Sequence, residues 1–218
     1  MLKTDSQLQS DVTAGLQLQP NVNAAHIGVT AQHSVVTLCG HVPHYIEKTV
    51  TESTAKGVSG VKGVANEIEV KLHGSNGLSD EEIAEAAVRA FRWDYEVPAD
   101  QVKVIVDHGN VKLEGIVEWQ YQKDAAKRCV QYIVGVISID NLVIVQPIVK
   151  MADVRKDIED AFLRSAELDA RRIGVVTEDG IVTLSGNVSI WAERDQAVAA
   201  AWGAPGVILV KDELLVNV

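Results

Sequence analysis

Apolar residues fall on every second position in three stretches that share one phrase: "VTLCGHV" at 36–42, "VKLEGIV" at 111–117 and "VTLSGNV" at 182–188. Alternation with Val and Leu on one parity marks a strand with one buried face, and the glycine stands on that same parity, which calls for a close neighbour there. Anchored on Gly40, Gly115 and Gly186, the copies align without a gap from Leu8, Ile83 and Val154 to Val70, Val145 and Val216. One supersecondary unit is thus used three times, over 1–73, 79–147 and 150–218.

Each unit opens with apolar positions at four-residue intervals: Leu8, Val12 and Leu16, then Ile83, Ala87 and Phe91, then Val154, Ile158 and Phe162. That spacing is one helical face. Thr4 with Gln7 and Ser79 with Glu82 have capping-box spacing, whereas the third copy has Lys150 and Asp153 there. The next strand pairs with the glycine strand through two-residue loops at His33-Ser34, His108-Gly109 and Asp179-Gly180, setting 31 opposite 36, 29 opposite 38 and 27 opposite 40 in the first copy.

A small-residue helix follows, carrying Thr51, Ala55 and Val58, then Ala126, Val130 and Ile133, then Ala197, Ala201 and Ala204. A second set of glycines, Gly60, Gly135 and Gly206, is expected to end it and open a last strand. The order is α-β-β-α-β, and a helical crossover makes the last two strands parallel if adjacent. The predicted fold class is α+β: three tandem units, each a small mixed three-stranded sheet with two helices packed on one face.

Outward parity in the second sheet gives Ile105, Ile116, Leu142 and Ile144, apolar where an isolated sheet would be polar, so this face is expected to be covered. The third copy offers Val176, Ile181 and Leu215 for a sheet-to-sheet contact, and a homodimer partner is the alternative cover. The linker at 72–79 reads as flexible and that at 146–152 as packed, which makes the second and third units the expected stiffer pair. Asn66, Asn141 and Asp212 share an inward position of the last strand, where a hydrogen bond to nearby backbone, with or without a bulge, is the expected role.

The phrase V-x-L-x-G-x-V, the alanine-rich helix and G-V-x-x-[VI]-x-[ND]-x-[LIV]-x-V together resemble the BON domain of bacterial envelope and osmotic-stress proteins, in all three units. The resemblance implies a non-enzymatic, stress-associated protein that binds phospholipid or a partner protein; one cytoplasmic relative binds potassium beside a different domain. The alternative is a cytoplasmic ion or small-ligand sensor whose domains reorient on binding.

Charge and chemistry narrow this further. The formal net charge is −10, nearly all of it carried by the second and third units, which argues against broad nucleic-acid binding. The polar opening "MLKTDSQLQSDV" lacks the pattern of a secretory leader, so cytoplasmic residence is the expectation, with the periplasm the alternative if a leader has been removed. Cys39 and Cys129 have no metal or redox spacing and read as free, mostly buried thiols.

No nucleophile elbow, phosphate loop or zinc-protease motif occurs, so an enzyme is not expected and no cofactor is called for. Five of the six histidines lie in the first copy; His26 and His41 face each other on the sheet's outer side, with His44 just beyond, and surface histidines are a better reading of them than a metal site. For lipid or partner contact the candidates are Trp119, Tyr121, Lys123, Lys127 and Arg128 about the second helix of the central copy, and Trp191 with Arg194 in the third. The simpler reading is that this helix buries a core face and solvates its charges.

Overall fold

Thr4 and Ser79 each accept from the backbone N–H three residues on, while Gln7 and Glu82 reach back to the cap's own N–H, so both capping boxes form. They start α1 (Asp5–Gln17) and α3 (Asp80–Trp93), whose buried faces are Leu8, Val12 and Leu16 and Ile83, Ala87 and Phe91. The third copy's first helix is α5 (Val154–Arg164), burying Ile158 and Phe162. The computed structural model describes residues 3–71, 78–146, 154–164 and 172–216. The linkers at 72–77 and 147–153, His73, and the Lys150 and Asp153 positions lie outside the described residues.

In each unit the helix leads into an antiparallel hairpin: β1 (Ile27–Gln32) with β2 (Val35–Val42), β4 (Val102–Asp107) with β5 (Asn110–Val117), and β8 (Ile173–Glu178) with β9 (Ile181–Val188). The register is the expected one, with Ala31 opposite Val36, Val29 opposite Leu38 and Ile27 opposite Gly40. Both loop residues take positive φ in every hairpin: His33 and Ser34, His108 and Gly109, Asp179 and Gly180. That is the turn whose twist matches the flanking strands.

The second helices are α2 (Tyr45–Lys56), α4 (Gln120–Val130) and α6 (Trp191–Trp202), and the crossover brings back a parallel third strand: β3 (Gly63–Val70), the split pair β6 (Ser138–Asn141) and β7 (Ile144–Val145), and β10 (Leu209–Val216). The chain is therefore α+β, with three mixed sheets in which the glycine strand is central. Val36, Leu38 and Val42, like Val182, Leu184 and Val188, are completely buried against the helices. The helices stop earlier than their small-residue pattern suggests, because Val58, Ile133 and Ala204 belong to the turn that follows, together with Gly60, Gly135 and Gly206.

The glycine of the shared phrase is explained by backbone. Gly40 has φ +121°, and a β-carbon built there would lie 2.0 Å from the carbonyl oxygen of His26; Gly115 meets Gln101 and Gly186 meets Arg172 at the same distance. The close neighbour is thus the backbone carbonyl of the residue that leads into the adjacent strand, rather than a helix in the core.

The chain forms two compact units, one of residues 1–116 with 121–144 and one of 117–120 with 145–218. The first copy and most of the second fall in the first unit, and the linker at 146–152, on which the expected stiffness of the second and third copies rests, lies outside the described residues beyond Gln146. Ile105, Ile116, Leu142 and Ile144 are exposed on the outer face of the second sheet, as are Val176 and Leu215 on the third, where Ile181 is half-buried. Cys39 is likewise exposed and Cys129 only partly buried, against the expectation of two buried thiols.

Candidate binding surfaces

Of the residues that the sequence singles out in the central copy, Trp119 precedes α4 and falls in the second compact unit, whereas Tyr121, Lys123, Lys127 and Arg128 lie on α4 in the first. Tyr121 and Arg128 are exposed; Trp119, Lys123 and Lys127 are half-buried. Arg128 is paired with Glu96, whose carboxylate also accepts from the Tyr95 hydroxyl at 3.3 Å. Its charge is therefore tied to the segment that follows α3.

That segment carries a surface which sequence pattern alone does not reveal. Trp93 is 86% and Tyr95 94% exposed at the C-terminal end of α3, and Arg89 and Arg92 are exposed on its last turns. Arg89, Arg92 and Val88 also line an open groove of about 570 Å³ with Glu81, Ala84, Glu85 and Val104. The available signal was that Trp93 and Tyr95 fall beyond the repeating apolar positions of α3, where a large aromatic has no core to enter.

In the third copy Arg194 lies over the ring of Trp191, 4.9 Å from its centroid, and its Nε donates to Asp212 at 2.6 Å. Both groups of this ion pair are about a quarter exposed. Asp212 has counterparts in Asn66 and Asn141, and all three make the same local bond: the side-chain oxygen accepts from the backbone N–H two residues on, at Leu214, Ile68 and Val143. The expected bond to nearby backbone is present, and the strand pairing runs through Asn66 and Asp212 without a bulge.

The remaining atom of each side chain ties the last strand to the second helix with different chemistry. Asn66 donates to Glu52, Asn141 to the Lys123 carbonyl, and Asp212 accepts from Arg194. One position thus serves as a strand-to-helix clip three times, which gives it a structural role.

Two polar groupings remain. Asp80, Asp107 and His108 bring ligand atoms within 4.8 Å of one another. The Asp80 carboxylate already accepts from the backbone N–H of Gly109 and His108, which holds its carboxyl below the usual carboxylate range. His108 is bonded to Asp107 through Nδ1 at 2.6 Å, which raises the imidazole. Asp5 clasps the first hairpin in the same way through Ser34 and His33. These carboxylates fasten a helix start to a turn, so the grouping has a structural account without an ion.

In the first copy the rings of His26 and His41 stack with centroids 5.0 Å apart. They line a cavity of about 310 Å³ with Asn23, Val42, Pro43 and Glu47. His44 is the N-cap residue of α2 and makes no side-chain cap bond. His26, His41 and His44 do not converge within single-ion distance among the described residues.

No described helix is long and apolar enough to cross a membrane. A model of the BON domain family matches residues 4–71, 79–147 and 151–217. Over 141 residues the chain is 32% identical to the osmotically inducible protein Y of Escherichia coli (strain K12), a span taking in 63% of this chain and 70% of that protein. Among solved structures it is similar to CdsD, a structural protein of the type III secretion system of Chlamydia trachomatis, at 17% identity and a TM-score of 0.27 over 97% of this chain and 92% of that one. The C-terminal domain of CdsD gives the same identity and TM-score over 99% and 100%. Likeness this slight bears on neither fold nor function.

Proposed function

Because this chain belongs to the BON domain family in each of its three units, we propose that it is a stress-associated, non-catalytic binding protein that docks on phospholipid surfaces through the end of α3. The stress assignment rests on its similarity to an osmotically inducible protein. The observation that carries the membrane reading is the exposed pair Trp93 and Tyr95 beside Arg89 and Arg92. An indole and a phenol place an apolar body among acyl chains and a polar tip among headgroups, while arginine stems lie along the same boundary with their guanidinium groups on phosphate. The net charge of −10, together with Asp94 and Glu96 on this segment and Glu81 and Glu85 along the groove, opposes approach to anionic lipid, so contact rests on the aromatic pair, with Arg89 and Arg92 bonding individual headgroup phosphates.

Co-sedimentation with vesicles of phosphatidylglycerol and phosphatidylethanolamine tests the reading. Trp93→Ala with Tyr95→Ala should abolish pelleting, whereas Trp119→Ala should leave it intact. Pelleting that follows Trp119 instead returns the contact to the start of α4. A chain that never pellets refutes membrane docking.

The exposed aliphatic residues Ile105, Ile116, Leu142 and Ile144 favour a second reading, a partner protein laid on the outer face of the central sheet. A second copy of this chain is the simplest such partner, and Ile116→Lys would then shift the sedimentation coefficient to that of a monomer.

A further inference from the structure

The cavity in the first copy holds a polar group whose partner has been removed. Glu47 is the third residue of α2 and only 8% exposed. At the matching place in the third copy, Glu193 reaches back to accept from the backbone N–H of Ser189 at 2.6 Å, an N-terminal cap that consumes the carboxylate. Register through Gly40 and Gly186 sets Pro43 where Ser189 stands, and proline has no N–H to give. The carboxylate of Glu47 accordingly has no hydrogen-bond partner among the described residues. No sealed side-chain oxygen lacks a partner there either, so its unbonded oxygens keep an opening, and the cavity that Glu47 lines provides one.

The walls indicate what fits. Val42 and Pro43 are apolar, His26 and His41 present stacked imidazoles, Asn23 adds an amide, and no lysine or arginine is among the lining residues. The ligand atoms of His26, His41 and Glu47 do not all lie within 4.8 Å of one another, so the three do not form one compact coordination sphere, while about 310 Å³ accommodates several heavy atoms. The geometry points to a binding site for a small organic cation, a primary ammonium on a short carbon chain. Its N–H groups donate to Glu47 and to an imidazole nitrogen, and its methylenes lie against Val42 and Pro43. The site is independent of membrane docking, because it lies in the first copy and uses none of the residues at the end of α3.

Titration of the full chain with n-butylammonium, followed by backbone amide shifts in two-dimensional NMR, tests this. Saturable shifts are expected about residues 23–26 and 41–47. Glu47→Gln, which keeps the shape and removes the charge, should weaken binding roughly tenfold or more, as loss of a charge-assisted bond does. Pro43→Ser restores the donor that Ser189 supplies in the third copy; it should weaken binding while leaving the fold and the charge in place. Tetramethylammonium, which has no N–H, should bind much more weakly. Absence of saturable shifts, shifts unchanged in both variants, or a response to zinc but not to the amine would each overturn the proposal.

Discussion

Replacing Gly40 by alanine tests whether the shared phrase exists for backbone reasons. The added β-carbon would sit 2.0 Å from the His26 carbonyl oxygen, where at least 3.0 Å is needed, so β1 and β2 must part locally by about 1 Å. One or two ladder hydrogen bonds are lost in doing so, at about 1 kcal/mol each, and φ of +121° costs an alanine a further 1–2 kcal/mol or so. The expected destabilisation is about 2–4 kcal/mol, a large part of what a domain of this size possesses. With the first and second copies in one compact unit, that corresponds to a fall in Tm of roughly 5–15 °C.

The control is Gly57→Ala. Gly57 caps α2 with φ −71°, and a β-carbon there would meet nothing closer than 3.5 Å, so alanine should be neutral or stabilise by up to about 1 kcal/mol. No tryptophan lies in the first copy, so calorimetry and circular dichroism are the suitable probes rather than fluorescence. Equal effects of the two substitutions, or a change below about 0.5 kcal/mol at Gly40, would refute the backbone explanation.

Other consequences follow from the hydrogen-bonded groups. Asp5 and Asp80 have carboxyl pKa values held below the ordinary value by the turn N–H groups. A depressed folded pKa contributes stability above the unfolded value and loses it as pH falls through the folded one. The first two copies should therefore lose stability below about pH 4, and Asp5→Asn with Asp80→Asn should flatten the dependence of Tm on acid. The third copy carries Met151 at this position and should show no such loss from this source. Burial and the nearby Asp94 carboxylate push the Cys129 thiol up to about 12, whereas Cys39 is exposed. Brief treatment with a thiol reagent at pH 8 should modify Cys39 alone, as read by mass spectrometry of tryptic peptides. Asp212→Ala removes the acceptor of both Arg194 and the Leu214 N–H, and should cost about 2–3 kcal/mol in urea unfolding; Asp212→Asn, which can still accept from Leu214, should cost less.

The period-2 phrases, the four-residue spacing of Leu8, Val12 and Leu16, and the loop at Asp179-Gly180 are short-range features, and each is legible because a strand, a helix face or a hairpin turn is specified by residues close in the chain. Three gap-free copies then determine three like folds. The sequence by itself therefore determined the element order, the hairpin register and the family. Tertiary structure decided which remote groups meet. Asp5 reaches a turn nearly thirty residues away, Gly186 faces the Arg172 carbonyl rather than a core side chain, and Trp93 and Tyr95 stand out in solvent. Pro43 and Glu47 show the distinction most clearly. Both were visible as letters, but only the Glu193–Ser189 bond on the same fold shows what the proline removes, because whether a polar group is satisfied depends on where its possible partners lie in space.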